Sequence, residues 1–193
     1  MSNDVSFVEK IKKNVPNILS AIRLALVPVF VFLYFSEYEN GKVWSIIVYV
    51  GAVFTDVLDG YIARHFNLIT NLGRILDPLA DKLMSLTVLT CITITKILPV
   101  WLTVAMFVKE LLMLSGGTFI HKKVRVDMPP SNIFGKAATV AIFVLCASIM
   151  IFENISRGVI TALIVIVISL AVLALASYIR TYINIVNKKN KKA

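Results

Sequence analysis

From Gly158 to Ile179 the chain carries no charged residue; it reads GVITALIVIVISLAVLALASYI. At about 1.5 Å of rise per residue, a helix of this length crosses the roughly 30 Å hydrocarbon layer of a bilayer. Five further apolar runs precede it, and the expected spans are 17–36, 44–66, 72–96, 98–121, 133–152 and 157–184. The expected fold is therefore an all-α integral membrane protein with six transmembrane helices. The balance of residues agrees: of 193 residues, 58% are hydrophobic and 16% are charged, against about a quarter charged in a soluble domain. Six spans leave no room for a separate soluble domain, so residues 1–193 read as one membrane-embedded unit with a basic tail at 185–193.

The ends and loops fix an orientation. Lys10, Lys12, Lys13, Arg64, Arg74, Lys122, Lys123, Arg125 and the tail lysines Lys188, Lys189, Lys191 and Lys192 fall on one side, whereas Lys42, Lys96 and Arg157 fall on the other. The positive-inside rule places the first side, and both termini, in the cytoplasm. The net charge of +9 fits an anionic lipid surface. No single soluble face gathers the basic residues, so nucleic acid is not an expected partner. Residues 4–13, DVSFVEKIKK, set Val5, Phe7, Val8 and Ile11 near one helical stripe. They are expected to form a short interfacial helix over 1–16, broken from the first span by Pro16. A cleaved secretory signal is not expected. Cys91 and Cys146 lie in apolar runs and read as buried thiols, and His65 and His121 as interfacial side chains.

Against this apolar background the ionisable residues stand out. Counted from the outer end at about 1.5 Å per residue, Arg23 lies roughly 20 Å deep, Asp56 and Asp59 roughly 18–23 Å, Asp81 roughly 23 Å, and Lys109 and Glu110 roughly 16–18 Å. One layer in the inner half of the bilayer holds them all. A lone intramembrane charge costs several kcal/mol unless it faces protein or water. Long basic side chains can snorkel, as Lys136 and Arg180 could, but aspartate stems are too short for it. The pattern points to a polar cavity open to the cytoplasm.

The carboxylates come in pairs. Asp56 and Asp59 are spaced i, i+3; Asp77 and Asp81 are spaced i, i+4. Each pair shares a helix face, and a loop near 65–71 brings both pairs to the same membrane side. Four carboxylates crowded together repel. Oxygen-only ligands suit Mg²⁺ or Mn²⁺, and four of them suffice for two ions of the kind that clamp phosphoryl oxygens. Gly60 and Gly73 allow close approach of a ligand, and Arg64 can fork onto phosphate.

The segment DVLDGYIARHFNLITNLGRILDPLADK, Asp56 to Lys82, resembles the signature of the CDP-alcohol phosphotransferases, D-x2-D-G-x2-A-R-x8-G-x3-D-x3-D. All eight defined positions match: Asp56, Asp59, Gly60, Ala63, Arg64, Gly73, Asp77 and Asp81. The beginning NVPNILSAIRLALVPVF is similar to that of the family's phosphatidylglycerophosphate and cardiolipin synthases. The resemblance implies a six-helix, dimeric membrane enzyme that moves a phosphatidyl group from CDP-diacylglycerol to an alcohol and releases CMP. By similarity, Asp56, Asp59, Asp77 and Asp81 hold two Mg²⁺ or Mn²⁺ ions, and Asp81 is also the general base. Asp56, Asp59, Gly60, Ala63, Arg64 and Gly73 bind the CDP part.

The expected acceptor is glycerol 3-phosphate, with Arg23, Lys109, Lys123, Arg125, Lys136 and Arg180 as candidate ligands of its phosphate. FGKAAT, Phe134 to Thr139, resembles the synthases' glycine-lysine stretch. KELLMLSGG, Lys109 to Gly117, departs from their RE…GLR pattern, with lysine for the first arginine and no second one. A cardiolipin synthase using phosphatidylglycerol is the alternative acceptor reading. Outside the family, a transporter or proton relay could also hold intramembrane carboxylates, but it would show inverted repeats and helices broken at mid-membrane; a metal-dependent scaffold would have no need of Asp81. The expected location is the bacterial cytoplasmic membrane, with the site facing the cytoplasm.

Overall fold

The computed structural model describes residues 2–65, 73–124, 133–152 and 154–190. Within them the chain forms six α-helices: α1 (Ser2–Tyr34), α2 (Gly41–His65), α3 (Gly73–Ile94), α4 (Val100–Val124), α5 (Ile133–Ile151) and α6 (Arg157–Asn190). Each covers most of one of the six apolar runs. Two of them, over Ile133–Ile151 and Arg157–Thr181, are long and apolar enough to cross a membrane. The chain divides into two compact units, residues 1–95 and 96–193, each built from three consecutive helices.

In the first unit α1 packs against both α2 and α3, and α2 touches α3. Among the described side chains of α1, Ser20, Arg23 and Phe30 are buried, three and seven positions apart on one face. Phe30 meets Tyr49 of α2 with ring centroids 6.2 Å apart. Ala52 on α2 and Ala80 on α3 are wholly buried; small side chains of this kind let helix backbones approach closely in lipid. Below them Met84, Val88, Leu89 and Ile92 complete the α3 face.

The reversal between α1 and α2 is tight. Gly41 N–H donates to the Tyr38 carbonyl at 2.9 Å, and Tyr38 N–H to Ser36 Oγ at 3.2 Å. A Cβ on Gly41 would sit 2.9 Å from the Leu33 carbonyl oxygen and 3.2 Å from the Ser36 carbonyl oxygen. Backbone atoms there cannot swing aside. Gly41→Ala is therefore expected to destabilise the first unit by about 1–3 kcal/mol, the usual cost of overpacking, read as a lowered unfolding midpoint in detergent.

In the second unit α5 packs along α6, and α4 also touches α6. The buried positions of α5, Ala138, Ile142, Leu145, Cys146, Ala147, Ile149 and Met150, recur every three to four residues and widen to three adjacent positions at 145–147. They meet a chain with Val167, Ala171 and Ala174 buried on α6. Ser156 caps α6, accepting the Val159 N–H on its Oγ at 3.3 Å.

What faces outward is as apolar as what is buried. Phe32, Phe54, Val104, Val140, Val165 and Val172 are all more than half exposed. A water-soluble surface rarely carries apolar area of this extent; for helices in lipid it is the expected exterior. Exposed aromatic residues gather at helix ends: Tyr38 and Trp44 flank the α1–α2 turn, Trp101 begins α4, and Phe152 follows α5. All lie on the side expected to be outer, where aromatic belts form at membrane interfaces.

One expectation needs correction. The break at Pro16 is absent: α1 runs unbroken from Ser2 to Tyr34, through both Pro16 and Pro28. The N-terminal segment is thus the first part of α1 and not a separate interfacial helix. Each proline removes one intrahelical hydrogen bond, but the bonds of neighbouring residues persist, so the helix carries on across the gap. Its 33 residues span about 50 Å, well beyond a 30 Å hydrocarbon layer. At the other end α6 continues to Asn190, so most of the basic tail prolongs the last helix.

Candidate active site

The aspartates lie where α2 ends and α3 begins. Asp56 is nine residues before His65, the last residue of α2, and Asp81 is eight after Gly73, the first of α3. At about 1.5 Å per residue these distances are about 13 and 12 Å along helices that pack together. Counted along the two helices, the residues stand at a similar level. Asp59, Gly60, Ala63 and Arg64 continue the helix of α2, and Asp77 belongs to α3. The side chains of Asp59, Ala63, Arg64 and Asp77 lie outside the described residues, as do residues 66–72. Among the described residues no group of three or more His, Cys, Asp or Glu side chains is assembled.

Arg23 reaches this level from α1. Its Nη1 donates to Asp56 Oδ1 at 2.6 Å, and its Nε to the Ala52 carbonyl at 3.3 Å. The same carbonyl accepts from Thr55 Oγ1 at 2.8 Å. Ala52 and Asp56 are one turn apart, so the planar guanidinium lies along α2 and grips it at two points. The Arg23 side chain is 1% exposed and that of Asp56 is 37% exposed. Depth counting from the sequence placed Arg23 and Asp56 in one layer; their direct pairing, and the part played by Ala52, it did not reveal. The available signal was that an unbranched methyl side chain stands one turn before Asp56.

The other candidate cations belong mainly to the second unit. Lys109 Nζ lies 2.6 Å from Glu110 Oε1, with side chains 4% and 12% exposed. Lys136, near the start of α5, and Arg180, on α6, are exposed. Lys123 belongs to the last turn of α4, its side chain outside the described residues; Arg125 lies outside them altogether. The structure thus joins Arg23 to Asp56 and Lys109 to Glu110.

A paired-carboxylate motif split across the ends of two packed helices, with a buried arginine against its first member, is the frame on which the comparisons with known proteins bear. The family model for CDP-alcohol phosphatidyltransferase matches residues 13–183. The chain belongs to the CDP-alcohol phosphatidyltransferase family. That family is membrane-embedded and generally depends on divalent metal. A cardiolipin synthase (CMP-forming) of Streptomyces coelicolor is 41% identical over 130 residues, 65% of this chain and 59% of that protein. A CDP-diacylglycerol–glycerol-3-phosphate 3-phosphatidyltransferase of Rickettsia bellii is 41% identical over 75 residues, 39% of this chain and 41% of that protein. Its counterpart in Rickettsia prowazekii is 39% identical over 85 residues, 44% of this chain and 45% of that protein. The chain covers less than two thirds of the length of each of these relatives.

Proposed function

We propose that this chain is a phosphatidyltransferase that moves the phosphatidyl group of CDP-diacylglycerol to a hydroxyl of glycerol 3-phosphate and releases CMP. The observation that carries the reading is the complete eight-position motif, Asp56 through Asp81, on the adjoining ends of α2 and α3. In this reading the six helices are six spans of a bacterial cytoplasmic membrane protein, a homodimer with its site open to the cytoplasm.

The donor set fits a pair of hard divalent ions, Mg²⁺ or Mn²⁺: Asp56, Asp59, Asp77 and Asp81 offer only carboxylate oxygens. Asp56 remains more than a third exposed while paired with Arg23, so its carboxylate is open to a ligand. When bound, such ions polarise phosphoryl oxygens and make a bound hydroxyl more acidic. The chain's own groups do the rest. Gly60, Ala63, Arg64 and Gly73 bind the cytidine diphosphate part, where the glycines allow close backbone approach and Arg64 forks onto phosphate. Asp81 takes the proton of the acceptor hydroxyl. The freed oxygen bonds to the phosphorus that carries the diacylglycerol, and the bond from that phosphorus to CMP breaks. The acyl chains stay in lipid throughout, which accounts for a reactive site at this depth. Lys123, Arg125, Lys136 and Arg180 are the cations left to receive the acceptor's phosphate.

A second reading, with phosphatidylglycerol as acceptor, is favoured by two observations. The match to the Streptomyces cardiolipin synthase runs over 130 residues, against 75 for the Rickettsia bellii protein, at the same identity. Arg23 and Lys109 are each engaged by a carboxylate at 2.6 Å, which suits a phosphodiester of lower charge. One assay separates the readings. The purified protein is incubated with CDP-diacylglycerol and Mg²⁺ or Mn²⁺, and CMP is measured with each acceptor in turn. Release with glycerol 3-phosphate supports the first reading and release with phosphatidylglycerol alone the second. No CMP with any alcohol overturns both.

A further inference from the structure

We propose that Arg23 is a positioning residue for Asp56 and not a ligand of the acceptor. The inference rests on the reading of Asp56 as a metal-holding carboxylate. An arginine in a lipid-embedded helix ordinarily reaches along its stem to the head groups. Arg23 does the opposite: it is 1% exposed and turned onto α2. To reach an acceptor it would have to abandon Asp56 Oδ1 at 2.6 Å.

Its second contact shows what the arrangement does. Nε is tied to the Ala52 carbonyl at 3.3 Å, a point of helical backbone one turn from Asp56. The guanidinium is planar and rigid, so a fork fixed at one prong by the backbone fixes the direction of the other. It thereby holds the Asp56 carboxylate in one orientation relative to α2. The same cation offsets part of the mutual repulsion of Asp56, Asp59, Asp77 and Asp81. Groups that orient a metal ligand in this way are worth about 10–100-fold in metal affinity.

Arg23→Ala would remove charge and fork together, so the informative variant is Arg23→Lys, which keeps the charge and loses the fork. Mn²⁺ binding is followed by electron paramagnetic resonance on full-length protein in lipid nanodiscs free of CDP-diacylglycerol; kcat and KM are measured in parallel. The expected result is Mn²⁺ affinity weakened about tenfold or more, activity at limiting Mn²⁺ reduced and recovered at high Mn²⁺, and acceptor KM within about twofold of wild type. Three results would overturn the proposal: Mn²⁺ affinity unchanged or tightened, acceptor KM raised with Mn²⁺ affinity unaltered, or an Arg23→Lys chain that no longer folds, which would make the role purely structural. A wild-type chain that binds no Mn²⁺ would instead remove the metal reading on which the inference stands.

Discussion

Asp81→Asn is expected to lower CMP release by about 10²–10⁴-fold, the range associated with losing a general base, while binding of a CDP analogue is largely retained. Asparagine matches aspartate in size, so the half-buried position on α3 is refilled without a cavity. It cannot accept the acceptor's proton as a carboxylate does, and it is a weaker ligand for a hard cation. The measurement is kcat alongside equilibrium binding of a non-reactive CDP compound in nanodiscs. Near-normal turnover would refute the base assignment. Loss of nucleotide binding together with turnover would move Asp81 from proton transfer to substrate binding.

The second large effect is on stability and lies in α4. Glu110→Leu removes the carboxylate held 2.6 Å from the Lys109 ammonium, in a place where Lys109 is 4% exposed. Breaking a buried ion pair from one side costs about 3–5 kcal/mol, whereas replacing both partners with apolar residues is often neutral or stabilising. Glu110→Leu is expected to lower the unfolding free energy by that amount, and Lys109→Met combined with Glu110→Leu to restore most of it. Reversible unfolding in mixed micelles would measure both. A single variant costing under about 1 kcal/mol would show that the ammonium finds an equal partner elsewhere.

The helices were legible because their signals are local. The apolar runs, such as α6 from Gly158 to Ile179, need no knowledge of the rest of the chain. The motif was equally plain, since Asp56 to Asp81 carries its eight positions at fixed spacing within one segment. Pro16 misled because the rule against helix-interior proline weighs one lost hydrogen bond, while continuity across α1 depends on the many that remain on either side.

Arg23 and Lys109 show where sequence reading stopped. Both are intramembrane cations at matching depth and candidate ligands of an anionic acceptor. Depth follows from residue number alone. The partner of a charge depends on how each helix is turned about its axis and on which neighbour its face meets. Arg23 pairs with a residue 33 positions away because α1 packs on α2 through Phe30 and Tyr49, a contact that turns the Arg23 face toward Ala52 and Asp56. Lys109 pairs with the residue beside it, a contact that helical periodicity does not suggest. The sequence by itself determined the helices, the carboxylate motif and the family, all of them written in short-range spacing. Only the tertiary structure decided which charge answers which, because that is settled by helix rotation and packing, and these are properties of several segments at once.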